Sequence, residues 1–172
     1  TNLAYFTDYY RTEQSSKVIN LLQLSAAKKI KLTKRWNLYT DIIFQQTDGS
    51  APVKVPLLFT RNRLAYEGVF FKNLNLSTGL ELRYFTPFEA YNYSPVMGQF
   101  VPQDTINLKN VPDLAAFFHF RIKSFTAYIR AENLNTVSFT NGFGFTNNNF
   151  AAQHYPTQGF MLRFGIQWGF VN

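Results

Sequence analysis

The chain contains no cysteine, which removes disulfide scaffolds, thiolate metal sites and cysteine nucleophiles from consideration. It has no apolar run near the roughly 18 residues that a membrane-spanning helix needs, so any passage through a bilayer must be made by strands. Charge is scarce too, at 16% of residues, against roughly a quarter in ordinary globular proteins. Acids are scarcer than bases, ten against seventeen, and the net +7 suits nucleic acid, anionic lipid or anionic solutes. Nucleic acid is discounted because the basic residues are spread along the chain rather than clustered. One cluster, Lys28, Lys29, Lys31, Lys34 and Arg35, surrounds a tight turn, and a solvated turn explains it as well as a binding patch does. The opening stretch TNLAYFTDYY lacks the tripartite pattern of a secretory signal. Either a leader has been removed or the chain belongs to a longer polypeptide.

Aromatic residues are abundant instead, at 18%, with 19 Phe and 10 Tyr. They sit in segments of strict alternation, the mark of a strand with two unlike faces. Eight such segments are expected near residues 1–11, 17–32, 36–47, 57–72, 75–88, 113–123, 125–137 and 160–170. Only Leu21 to Ile30 could also be read as a short helix. Leu76, Thr78, Leu80, Leu82 and Tyr84 oppose Asn75, Ser77, Gly79, Glu81 and Arg83. Leu114, Ala116, Phe118, Phe120 and Ile122 oppose Ala115, Phe117, His119, Arg121 and Lys123. In the last segment Phe160, Leu162, Phe164, Ile166, Trp168 and Phe170 oppose Met161, Arg163, Gly165, Gln167 and Gly169. Lys28 falls on an apolar side, close enough to a turn for its ammonium to snorkel.

The connections alternate long and short: TEQSS, then a turn near Thr33–Arg35, then GSAPVKVP, and so on. In an up-and-down meander this places every short turn at one end and every long loop at the other. Transmembrane barrels have that asymmetry, with short periplasmic turns and longer outer loops. The expected fold is therefore an all-β, antiparallel up-and-down transmembrane barrel forming one domain over residues 1–172. Eight strands would close a small barrel or form part of a larger one. A soluble lipocalin-like barrel, with the apolar face inward, is the competing reading.

In the membrane reading the charged face lines the lumen. Its expected members are Arg61, Arg63, Glu67, Glu81, Arg83, His119, Arg121, Arg130, Glu132 and Arg163, with Asp41 and Lys123 nearby. These groups either bias a channel toward anions or pair across a narrow interior as a polar core. Trp36, Tyr84, Phe125, Phe160, Trp168 and Phe170 fall near the ends of outward rows, as in interfacial girdles. Catalysis is not expected, because neither His119 nor His154 stands at a triad or metal-ligand spacing. NGFGF (Asn141 to Phe145) lacks the helix and base of a phosphate cradle. No cofactor is expected.

The stretches GLELRYFTPFEAYNYSPVMGQFVPQ, VPDLAAFFHFRIKSFTAYIRAENLN and HYPTQGFMLRFGIQWGF resemble the C-terminal part of the putative porin family of Bacteroidota outer membranes. The resemblance covers about the last hundred residues. It implies a bacterial outer-membrane barrel passing small hydrophilic solutes by diffusion. The lumenal charges add an expected mild anion preference. Expected partners are outer-membrane lipid, such solutes, and other outer-membrane proteins through loops 89–112 and 138–159. A non-conducting barrel serving as a docking component of a membrane assembly is the alternative.

Overall fold

The computed structural model describes residues 3–7, 11–16, 18–48, 52–140, 142–146 and 149–170. Its centre is one seven-stranded antiparallel sheet in simple meander order. The strands are β1 (Leu21–Lys31), β2 (Trp36–Thr47), β3 (Leu58–Phe70), β4 (Leu74–Phe85), β5 (Asp113–Ile122), β6 (Phe125–Glu132) and β7 (Met161–Trp168). A twelve-residue strand such as β2 is about 40 Å long, enough to cross a bilayer at a steep tilt. The alternative of a helix over 21–30 is overturned, since β1 pairs with β2 from Leu21↔Thr47 to Lys31↔Asn37.

Three further expectations are corrected. In the first expected segment, of which residues 1, 2 and 8–10 lie outside the described residues, Leu3–Thr7 does not join the sheet but pairs with Arg11–Ser15 as a separate hairpin. TEQSS is accordingly mostly strand rather than loop. The strand expected at 125–137 stops at Glu132, followed by a 3-10 turn over Leu134–Thr136. The sheet is open among the described residues: β1 and β7 are its edges and do not pair with each other, so a closed eight-stranded barrel is not what the chain forms here.

The loop asymmetry holds. Residues 32–35, 71–73 and 123–124 make the short turns, while 48–57, 86–112 and 133–160 run at the opposite end. In the first turn the Thr33 hydroxyl accepts the backbone N–H of Trp36 at 3.0 Å, holding the chain reversed. The long loops interlock. Lys54 meets Glu89 at 2.6 Å, and the Tyr91 hydroxyl donates to the Pro52 carbonyl at 3.0 Å. Asn149 donates to Asp113 and to the Val111 carbonyl and accepts from the Val111 N–H. These bonds bury Asn149, Ser94, Thr136 and Ala152, so much of the packed interior lies in the loop layer.

Apart from Ala127 on the apolar side, the buried residues of the sheet lie on its charged face. Ala65, Ala115, Phe117, Asn37 and Glu81 are buried there. The apolar face is uncovered, with Leu24, Leu80, Ile129, Leu162, Phe164 and Ile166 all exposed. A soluble one-sided sheet does the reverse, hiding its apolar face and wetting its polar one.

Candidate functional site

Strand register places all ten expected lumenal residues on one face. Asp41 lies opposite Arg61, and Arg61 opposite Arg83; Arg63 lies opposite Glu81, and Glu67 opposite Ser77. Farther along, Ser77 faces His119 and Asn75 faces Arg121, while Arg130 faces Phe117 on one side and Arg163 on the other. The period of two read from sequence is what fixes this, because a one-residue slip would turn every side chain over.

Several of these groups reach across an intervening strand and tie this face together. Arg130 on β6 bonds Glu81 on β4 at 2.7 Å, passing over Ala115 of β5. Arg130 also holds Glu132 at 2.9 Å, and Arg163 takes the other Glu132 oxygen at 3.0 Å. Arg83 stands 3.9 Å from Glu81. Toward the short-turn end Glu67 gathers three donors, the Asn37 amide at 2.7 Å, the Tyr39 hydroxyl at 2.9 Å and the Lys29 ammonium at 3.4 Å. Arg61 pairs with Asp41 at 3.0 Å. The structure thus brings both halves of the sequence expectation together: the charges share a face, and most of them pair.

Among the described residues, Arg63 and Arg121 on this face meet no acid within salt-bridge distance. Arg63 donates to the Ser77 hydroxyl at 3.3 Å and lies 4.2 Å from the centre of the Phe117 ring. Arg121 donates to the Lys123 carbonyl at 3.1 Å. His119 is flanked by Phe117 and Tyr128, rings centred 5.3 and 5.7 Å away. Beside them is an open recess of about 500 Å³ lined in part by Lys34, Asn37, Glu67, Ser77, His119 and Arg121. This is a polar, partly aromatic wall with an excess of positive charge, suited to contacting small hydrophilic molecules in passing.

Glycine on this face marks close approach. A side chain at Gly79 would fall on the Leu64 carbonyl, and one at Gly165 would strike the Tyr128 ring. Alternation puts Phe117 on the polar face, but its packing over Arg63, and that of Tyr39 over Arg63 and Tyr128 over Gly165, is a finding of the structure.

On the opposite face Trp36, Phe125 and Trp168 stand near the short-turn end, and Tyr84 near the loop end. Trp36 meets Tyr66 at 5.2 Å, and Phe125 meets Trp168 at 6.0 Å between ring centres. Phe160 and Phe170 flank β7 rather than lying within it. Phe170 stacks on Trp168 at 5.2 Å, and Phe160 stacks on Phe145 at 5.2 Å. Through Phe145 the row continues to Phe143 and Phe139 in the loop, an extension that the Asn- and Gly-rich sequence there did not announce. Lys28 is on the apolar face opposite Thr40.

Comparison with curated proteins finds no match, and comparison with solved structures finds none either. A family model described as "Putative porin" matches residues 1–172. The match extends the resemblance from the last hundred residues to the whole sequence. An antiparallel sheet with its charges gathered on one face, large apolar residues exposed on the other and loops segregated to one end is in keeping with it, and the chain belongs to this putative porin family.

Proposed function

We propose that the chain forms part of the wall of an outer-membrane β-barrel through which small hydrophilic solutes diffuse, with a mild preference for anions. The observation that carries this reading is the reversed polarity of the sheet. Its most buried residues, Asn37, Ala65, Glu81, Ala115 and Phe117, lie on the charged face, while Leu24, Leu80, Ile129, Leu162, Phe164 and Ile166 stand exposed on the apolar one, which is stable when lipid covers the apolar side. Family membership supports the outer-membrane location.

Closure follows from strand direction. Strands β1 and β7 both run from the loop end to the short-turn end, so pairing one with the other would be parallel. An antiparallel barrel needs an odd number of further strands between them, from this polypeptide or another. A total above eight leaves room for water, because about eight strands are already filled by their own side chains. Arg63 and Arg121 supply the positive excess that lowers the barrier to anions.

A second reading has its own support. The interlocked loops and the paired charges favour a sealed barrel, and exposed Val96, Phe100, Phe139 and Phe143 give such a barrel an apolar docking surface. Planar-bilayer recording separates the two. Discrete conductance steps, with a reversal potential displaced toward that of the anion in a salt gradient, support the pore. A tight seal by the inserted protein overturns it in favour of docking.

A further inference from the structure

The three short turns carry a charge pattern of their own. Residues 32–35, 71–73 and 123–124 contribute Lys34, Arg35, Lys72 and Lys123, all exposed, and not one acid. The long connections 48–57, 86–112 and 133–160 contain Asp48, Glu89 and Asp104 against Lys54 and Lys109. One rim of the sheet is therefore purely cationic, and the other slightly acidic.

Two of these cations, with Phe71 (φ 47°) beside Lys72, occupy turn positions that glycine would enter more easily. Lys72 has φ 66° and Lys123 φ 51°, the left-handed region that glycine enters without penalty and a lysine does not. A lysine in such a turn sacrifices stability that glycine would keep, and what it supplies is charge. Arg35 is held in place, its guanidinium donating to the Tyr66 hydroxyl at 2.9 Å and lying 5.3 Å from the centre of the Phe70 ring.

Each short turn is also flanked on the apolar face by a ring: Trp36 after the first, Phe70 before the second and Phe125 after the third. Rings at the hydrocarbon boundary with cations one step beyond them match the depth order of a phospholipid leaflet, where phosphates lie just outside the acyl region. We propose that the short-turn rim binds the phosphodiester groups of anionic phospholipids in the leaflet from which it emerges. The proposal rests on the membrane-spanning reading and adds to it a lipid preference and a polarity.

The test uses the purified protein and two vesicle populations, phosphatidylcholine alone and phosphatidylcholine mixed with phosphatidylglycerol. A cation near an anionic surface is worth roughly fivefold in partitioning, so the protein should prefer the mixed vesicles by more than about tenfold at low salt. A variant carrying Lys34→Gln, Arg35→Gln, Lys72→Gly and Lys123→Gly should lose most of that preference yet still insert into phosphatidylcholine, with the same blue-shifted tryptophan emission. A second variant, Lys34→Arg with Lys72→Arg and Lys123→Arg, should keep the preference, which guards against a turn that simply misfolds. An undiminished preference in the first variant overturns the proposal. So does abolition of the preference by free glycerophosphate at concentrations too low to screen charge, which would point to a soluble phosphate. Failure of the unaltered protein to insert into either vesicle overturns the membrane-spanning reading itself, and the proposal with it.

Discussion

Arg130 and Glu81 meet at 2.7 Å although a whole strand separates them, the guanidinium reaching over the small side chain of Ala115. Glu81 is buried, and Arg130 divides its donors between that carboxylate and Glu132. Alternate strands stand roughly 10 Å apart, a gap that these two long side chains span over the small Ala115. The pair therefore ties three strands together on the charged face.

Removing one partner should be costly. Arg130→Ala leaves Glu81 with only Arg83 at 3.9 Å, and stranding a buried charge costs about 3 kcal/mol or more. Urea unfolding in detergent micelles should register that loss. In a double-mutant cycle with Glu81→Gln the two losses should be strongly non-additive; simple additivity would show that the pair does not act as a unit.

Two glycines should respond differently to the same methyl group. Gly79→Ala pushes against the Leu64 backbone carbonyl, which cannot move without disturbing the β3–β4 ladder, and should cost about 2–3 kcal/mol. Gly165→Ala meets the Tyr128 ring first, a side chain that can swing aside, and should cost roughly 1 kcal/mol. Thermal unfolding of both variants checks the order, and equal losses would contradict the close approach at Gly79.

Alternation made the faces legible before any coordinates. Arg61, Arg83 and Arg163 fell on one side and Leu80, Phe118 and Ile166 on the other because a strand has a fixed period. The alternation of short and long connections gave the two ends for the same reason. What the sequence could not supply was contact between segments far apart in the chain. Asn149 reads as one of several loop asparagines, yet it is buried because Asp113 and Val111 come to it. The first segment misled because Leu3–Thr7 alternates like any sheet strand, and nothing local records that its partner is Arg11–Ser15 rather than a neighbour in the main sheet. Openness is likewise a property of the two edges together, and neither β1 nor β7 carries it alone.

Charge reversal at Arg163 should alter selectivity more than stability. Its side chain is about half exposed, and it pairs with Glu132 alone among the described acids, while Arg130 continues to hold that carboxylate. Arg163→Glu should shift the reversal potential toward cations in a salt gradient, with a near-unchanged unfolding midpoint. Loss of folding with unaltered selectivity would identify the charge as a structural pair rather than part of a conducting wall.

The absence of native cysteine allows the central claim to be tested without background labelling. Single cysteines placed in turn at Leu162, Arg163, Phe164, Ile166 and Gln167 along β7 can each carry a nitroxide in the protein reconstituted into lipid. Collision with oxygen reports hydrocarbon, and collision with a water-soluble nickel chelate reports aqueous lumen. Leu162, Phe164 and Ile166 should favour oxygen, whereas Arg163 and Gln167 should favour nickel. Nickel access at all five positions, or burial of the three apolar positions from both reagents, would contradict the membrane-spanning reading.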